Sequence, residues 1–286
     1  MTTSFQVGRL RCHALEGGTV RLDGGAMFGI VPKVLWERRI PADERNRIPL
    51  ALRCLLIEHP DGLVLIDTGL GNKENEKFRD IYGVDNAGAD GRTRLEDALA
   101  QLGHRPEDMR WVINTHLHFD HAGGNTYHDG GGAVHVAFPR ARYVVQGGEL
   151  EFARHANERT RATYLAHNLQ GIDFSLLDGE REVVPGVRCV PTPGHTPQHQ
   201  SILIQSGGET ACFLADLVST SAHLPLPWTL GFDVEPMVTI ETRRRLYPRA
   251  EAEGWRVVFQ HDTTVVMGRL AKQDKGFGLV DPTRLD

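Results

Sequence analysis

The sequence predicts an α/β fold, two sheets enclosed by helices within one domain, on three observations. Strand-like and helix-like segments alternate through both halves of the 286 residues, the pattern of layered α/β architectures. No linker rich in Pro, Gly or Ser separates the halves, so residues 1–286 read as a single domain. Hydrophobic residues at 40% and charged residues at 24% are ordinary for a chain that buries its own core, without the bias of a disordered or coiled-coil sequence.

The elements follow in order. From Leu50 to Ile66 two apolar stretches flank His59-Pro60-Asp61-Gly62, which predicts a β-hairpin whose second strand runs into Asp67-Thr68-Gly69. Arg94–Leu102 has the apolar spacing of an amphipathic helix closed by Gly103, and Met109–Asn114 reads as a buried strand. A strand at Ala141–Val145 is followed by a helix from Glu149, with helical sequence continuing to about Leu169. Strands are expected at Val187–Val190, Ser201–Ile204 and Ala211–Ala215, a helix from about Thr239 to Ala252, and a late strand at Trp255–Phe259.

Net charge is −5 with Lys and Arg scattered, apart from Arg243, Arg244 and Arg245, which argues against a nucleic-acid partner. No apolar run approaches the roughly 20 residues that span a bilayer, and the N-terminus lacks a basic region followed by an apolar core, so no membrane partner and a cytoplasmic location are expected. Cys12, Cys54, Cys189 and Cys212 are far apart with no C-x-x-C pair and read as small buried residues.

The 14 histidines carry the chemistry. Thr115-His116-Leu117-His118-Phe119-Asp120-His121-Ala122-Gly123-Gly124 follows directly on a buried strand. Residues two apart at a strand end point the same way, so His116 and His118 can offer nitrogens to one metal, while the turn lets Asp120 and His121 reach a second. A chance gathering of surface histidines would explain one of these residues; four in H-x-H-x-D-H spacing beside glycines are too costly a polar cluster for that. Taken singly, His195 and His261 would read as hydrogen-bonded core histidines and Asp216 as a turn former or helix cap.

The segment His116–Gly124 resembles the metal-binding signature of the metallo-β-lactamase superfamily, and later segments supply its other parts in order. Asp67 in Ile66-Asp67-Thr68-Gly69 is similar to the aspartate ending an early strand of that fold, His195 in Thr192-Pro193-Gly194-His195 to its third-histidine loop, Asp216 to its bridging carboxylate and His261 to its last ligand. The resemblance covers nearly the whole chain and implies a four-layer αββα sandwich. It also implies two divalent metal ions: one on His116, His118 and His195, the other on Asp120, His121 and His261, with Asp216 between. Zinc suits these donors, and so do iron, manganese or cobalt. Asp67 is expected to orient a ligand histidine by a hydrogen bond. A bridging water that loses its proton near neutral pH would be the nucleophile, with Asp120 orienting it or assisting proton transfer.

Within the superfamily, the His116 string and Thr192-Pro193-Gly194-His195-Thr196-Pro197-Gln198-His199 look most like lactonases that open N-acyl-homoserine lactones, a quorum-quenching activity; hydrolases of organophosphates and aryl esters are similar too. Better-known lactonases carry a tyrosine a few residues beyond the bridging aspartate, and none stands in Leu217–His223. His223 could contact substrate or protonate the leaving alkoxide, or be structural. Met27 and Phe28 near the N-terminus and Leu224 and Trp228 after Asp216 suit an acyl-chain groove, while core packing or a dimer contact explains them equally well. This sequence shows neither the basic C-terminal helical region expected of a glyoxalase II-like thioesterase, nor the basic surface and added domain of a nuclease, nor the Glu in place of His118 and appended flavin domain of a diiron flavoprotein, and a non-catalytic metal-binding regulatory protein is disfavoured by seven intact ligand positions. A homodimer is compatible with the group.

Overall fold

The structure, a computed structural model, describes residues 2–285. Its residues divide into two compact units: the first takes in residues up to Thr19 together with Leu52–Gly179, the second Val20–Ala51 and the residues from Glu180 onward. The α/β class expected from the sequence is present in each.

Strands β1 (Thr3–Val7), β2 (Leu10–Asp23), β3 (Arg47–Glu58), β4 (Leu63–Ile66), β5 (Met109–Ile113), β6 (Thr126–His128), β7 (Val134–Val136), β8 (Arg142–Gln146) and β9 (Phe174–Leu177) come first along the chain. Seven of them form a sheet in the order β1-β2-β3-β4-β5-β8-β9, and β6 pairs with β7 separately. The β3/β4 hairpin closes where Gly62 N–H donates to the His59 carbonyl at 2.9 Å. Beyond it the pairings β4/β5, β5/β8 and β8/β9 are parallel, with Ile66 beside Ile113. The carboxyl ends of β4 and β5 therefore lie side by side, the usual place for a ligand site in such sheets.

The helix Arg94–Gln101 starts at a capping box: Thr93 Oγ1 accepts from Glu96 N–H at 3.3 Å, and Glu96 Oε2 accepts from Thr93 N–H at 2.7 Å. Leu95, Ala98 and Leu99 form its buried stripe and pack on Leu56, Leu65, Met109 and Val112. The next helix is shorter than the sequence suggests. It spans Gly147–Arg154 and does not continue to Leu169, because Asn157 Oδ1 accepts from the N–H of Arg159 and of Thr160 and turns the chain; only a single 3-10 turn, Ala166–Leu169, follows.

In the second unit β10 (Arg181–Val184), β11 (Val187–Pro191), β12 (Gln200–Ser206), β13 (Glu209–Phe213), β14 (Arg256–Val258), β15 (Val265–Gln273) and β16 (Gly276–Arg284) form a sheet in sequence order. Only β13/β14 is parallel, and the helix Pro236–Ala252 crosses over between them. It begins three residues before the expected Thr239 because Pro236 sits in the first turn, where its missing N–H costs nothing. Tyr247 and Ala250 bury its inner face against Leu203, Trp255, Val257 and Phe259. Strand β13 stops at Phe213, short of the expected Ala215, since Leu214 already takes the helical φ −75°, ψ −25° and Ala215 follows at φ 46°. All four cysteines are buried and unbridged.

Replacing Thr93 by Ala removes the cap of Arg94–Gln101 and should destabilise the protein by about 1 kcal/mol. Thermal melts would show this as a drop of a few degrees; an unchanged melting temperature would mean that the cap adds nothing to global stability.

Candidate metal centre

In the first unit the site begins at Asp67, the residue after β4. Its φ of 55° is a conformation that few residues other than glycine adopt, and it turns a completely buried carboxylate toward the end of β5. Asp67 Oδ1 accepts from Thr115 N–H at 2.8 Å, and Oδ2 accepts from Thr115 Oγ1 at 2.8 Å and faces His121 Nδ1 at 3.0 Å. These bonds fix tautomers. His121 carries its proton on Nδ1 and donates it to Asp67; Thr115 Oγ1, having spent its own proton on Asp67, accepts from His116 Nδ1 at 3.1 Å. Both rings thus keep an Nε2 lone pair for another partner.

His116 Nε2 lies 3.1 Å from His118 Nδ1. Two imidazole nitrogens that close match the spacing of adjacent ligands on one tetrahedral ion, for which metal–nitrogen bonds of about 2.0–2.1 Å place donors a little over 3 Å apart. Asp120 and His121 lie in the short helix Phe119–Ala122, with His121 Nε2 3.7 Å from Asp120 Oδ2. The two glycines that follow are sterically required: a Cβ on Gly123 would strike the Leu70 carbonyl, and one on Gly124 the Thr68 carbonyl. Buried Lys73 donates to the carbonyls of Gly123 and Thr126, and its burial lowers its pKa to about 8.

The second unit carries the other three candidates. His195 Nδ1 pairs with Asp233 Oδ1 at 2.9 Å, and His261 Nδ1 donates to the Ala51 carbonyl at 2.7 Å, so both point Nε2 away from these anchors. They point it at Asp216. His195 Nε2 is 3.2 Å from Asp216 Oδ2 and His261 Nε2 is 3.1 Å from Oδ1, so each carboxylate oxygen faces a different histidine. Asp216 is held by Ser219 Oγ, which donates to Oδ1 at 2.7 Å, and by its own N–H, which donates to His199 Nε2 at 3.2 Å. Gly194, at φ 136°, lets the His195 loop pass against Thr239 where any side chain would collide.

Next to His261, Asp262 binds Ser221, Thr264 and Val265. Burial would raise its pKa, but these hydrogen bonds outweigh burial and hold it below the ordinary carboxylate value.

His223 and the four pocket candidates are placed differently from the catalytic and groove roles considered for them. His223 is completely buried, with Nδ1 2.7 Å from Thr220 Oγ1 and Nε2 2.9 Å from the Met27 carbonyl. Both nitrogens are engaged in hydrogen bonds within the fold. Its ring stacks on Phe28 at 4.4 Å; Phe28 stacks in turn on Trp36 at 5.3 Å and meets Trp228 edge-on at 5.7 Å. Met27, Phe28 and Leu224 are buried and Trp228 is half-buried, so this cluster packs as core; the exposed apolar residues nearby are Ile30, Val34 and Leu35. Thr115 and His199 lay inside strings already singled out, whereas Asp233 is 38 residues from His195 with no local signal to mark it.

Comparison with known proteins adds three findings. The Metallo-beta-lactamase superfamily model matches residues 48–264. An N-acyl homoserine lactonase from a Bacillus species is 33% identical over 223 residues, 75% of this chain and 82% of the relative. Among solved structures, a probable metal-dependent hydrolase from Staphylococcus aureus superimposes with a TM-score of 0.85 at 32% identity, covering 97% of this chain and 99% of that one. An N-acyl homoserine lactone hydrolase with the product N-hexanoyl-L-homoserine at its catalytic metal centre superimposes at 0.68 and 26% identity, covering 90% and 94%.

Burial lowers the pKa of His223 from 6.5 to about 4, with Arg243 adding to the shift and the bond to Met27 opposing it. Between those values the unfolded chain takes up a proton that the folded one refuses, so stability falls as pH drops from 6.5 to 4. Urea unfolding of metal-free protein should show wild type losing up to about 3 kcal/mol more than His223→Gln across that window. Parallel pH profiles would contradict the assignment.

Proposed function

The chain belongs to the metallo-beta-lactamase superfamily and is a metal-dependent hydrolase of a small molecule, and from that premise we propose a lactonase that opens N-acyl-homoserine lactones at two divalent metal ions, zinc in the first instance. In this reading His116, His118 and His195 hold one ion, Asp120, His121 and His261 the other, and Asp216 serves both. The observation that carries it is the seating of Asp216, whose two oxygens each face a different histidine with its Nδ1 already anchored. An all-imidazole and carboxylate donor set fits zinc and leaves iron, manganese and cobalt open. The lactone substrate rests on the Bacillus relative.

Bound there, such ions supply Lewis acidity to the lactone carbonyl and lower the pKa of bound water. The protein's part is to fix donors and move protons. Asp67, Asp233 and the Ala51 carbonyl lock the orientation of His121, His195 and His261. In this reading Asp120, 7% exposed where His116 and His121 are sealed, takes the proton of the attacking water and returns it to the leaving alkoxide. This supplies the proton that a tyrosine would otherwise give. Among residues 217–223, Ser219 donates its hydroxyl to Asp216 Oδ1 and so orients that carboxylate.

The test is hydrolysis of short- and long-chain N-acyl-homoserine lactones by metal-reconstituted protein, beside an aryl ester and a phosphotriester. Lactone turnover with kcat/KM above about 10⁴ M⁻¹s⁻¹, abolished by metal removal, is the expected result. Turnover of the ester or phosphotriester alone would overturn the lactone assignment. Asp216→Ala and His118→Ala should each lose metal and most activity together, and a variant that kept full metal content and normal turnover would break the ligand set.

A further inference from the structure

His116 and His118 are separated by one residue, Leu117, and that residue is held from behind. Its side chain is buried with Ala122, Val145, Leu150, Ala153 and Tyr164, and its N–H donates to Glu149 Oε1 at 3.1 Å. The same oxygen accepts from Tyr164 Oη at 2.9 Å. Tyr164 then lays its ring against His118, centroids 4.7 Å apart and planes at 63°. The neighbouring Thr163 carbonyl accepts from Phe119 N–H at 2.9 Å. Glu149, on the helix Gly147–Arg154, is completely buried, and a carboxylate taken out of water at that cost needs compensating bonds. One of those bonds comes from the residue between the two histidines, and another from the tyrosine whose ring meets the second.

We propose that Glu149 and Tyr164 are positioning residues for the metal that His116 and His118 would share: Glu149 fixes the backbone between the two histidines, and Tyr164 fixes the ring of the second. The proposal rests on the reading of His116 and His118 as ligands. Neither Glu149 nor Tyr164 binds the metal; they restrict how far the two nitrogens can move apart. Their loss therefore acts on metal retention more than on folding, as with other residues that hold ligands in place.

The experiment follows release of zinc from loaded protein to a chromogenic chelator, alongside melting of the metal-free forms. Glu149→Ala and Tyr164→Leu should release one zinc equivalent about 10- to 100-fold faster than wild type. Glu149→Gln, which keeps an oxygen to accept from Leu117 N–H and Tyr164 Oη, should restore retention to near wild type. Metal-free melting temperatures of the retaining and releasing variants should lie close together. Unchanged release from Glu149→Ala and Tyr164→Leu would overturn the proposal, as would loss of retention that merely tracks a fall in metal-free stability. Wild type that binds no zinc would defeat the metal reading itself, and this proposal with it.

Discussion

The buried carboxylate of Asp67 is the constraint on which the first unit's site depends. It sits at the end of β4 in a strained backbone conformation and accepts from the backbone and side chain of Thr115 and from His121. Parallel pairing of β4 with β5 makes this possible, since it brings the ends of both strands together. One charged group thereby sets where the loop leaves the sheet, which nitrogen of His121 carries the proton and, through Thr115, which nitrogen of His116 does so. A buried anion is tolerated because each oxygen has a donor, and the strain at φ 55° is offset by the same bonds.

The second unit solves the same problem with other materials. Asp233 and the Ala51 carbonyl do for His195 and His261 what Asp67 does for His121. Strain again marks the site: Ala215, at φ 46°, turns the chain so that the next residue, Asp216, meets both histidines. Around this half the packing is aromatic. The Trp36, Phe28 and His223 stack, with Arg243 donating to the carbonyls of Leu217, His223 and Trp228, makes a rigid wall from residues that composition alone would equally allow as a binding groove.

Much of this was legible in the sequence because it is local. The His116 string declares its chemistry by spacing, and the helix at Arg94 declares itself by its apolar stripe. What was not legible depends on distance along the chain. Asp233 is marked by nothing near it, and the burial of His223 against Met27 is set by a segment 196 residues away. Asn157 ends a helix that apolar periodicity would continue, because a side chain that bonds its own backbone competes with the helix. In the β15/β16 hairpin, β15 starts as a continuously buried run and β16 is largely exposed and interrupted by Gly278 and Pro282, so neither shows the alternation of a half-buried strand.

Anomalous diffraction from crystals of the zinc-loaded protein would locate the ions relative to Asp216. Two peaks about 3.5–4 Å apart are expected, one beside His116, His118 and His195, the other beside Asp120, His121 and His261, with Asp216 near both. A single peak, or peaks remote from Asp216, would contradict that arrangement.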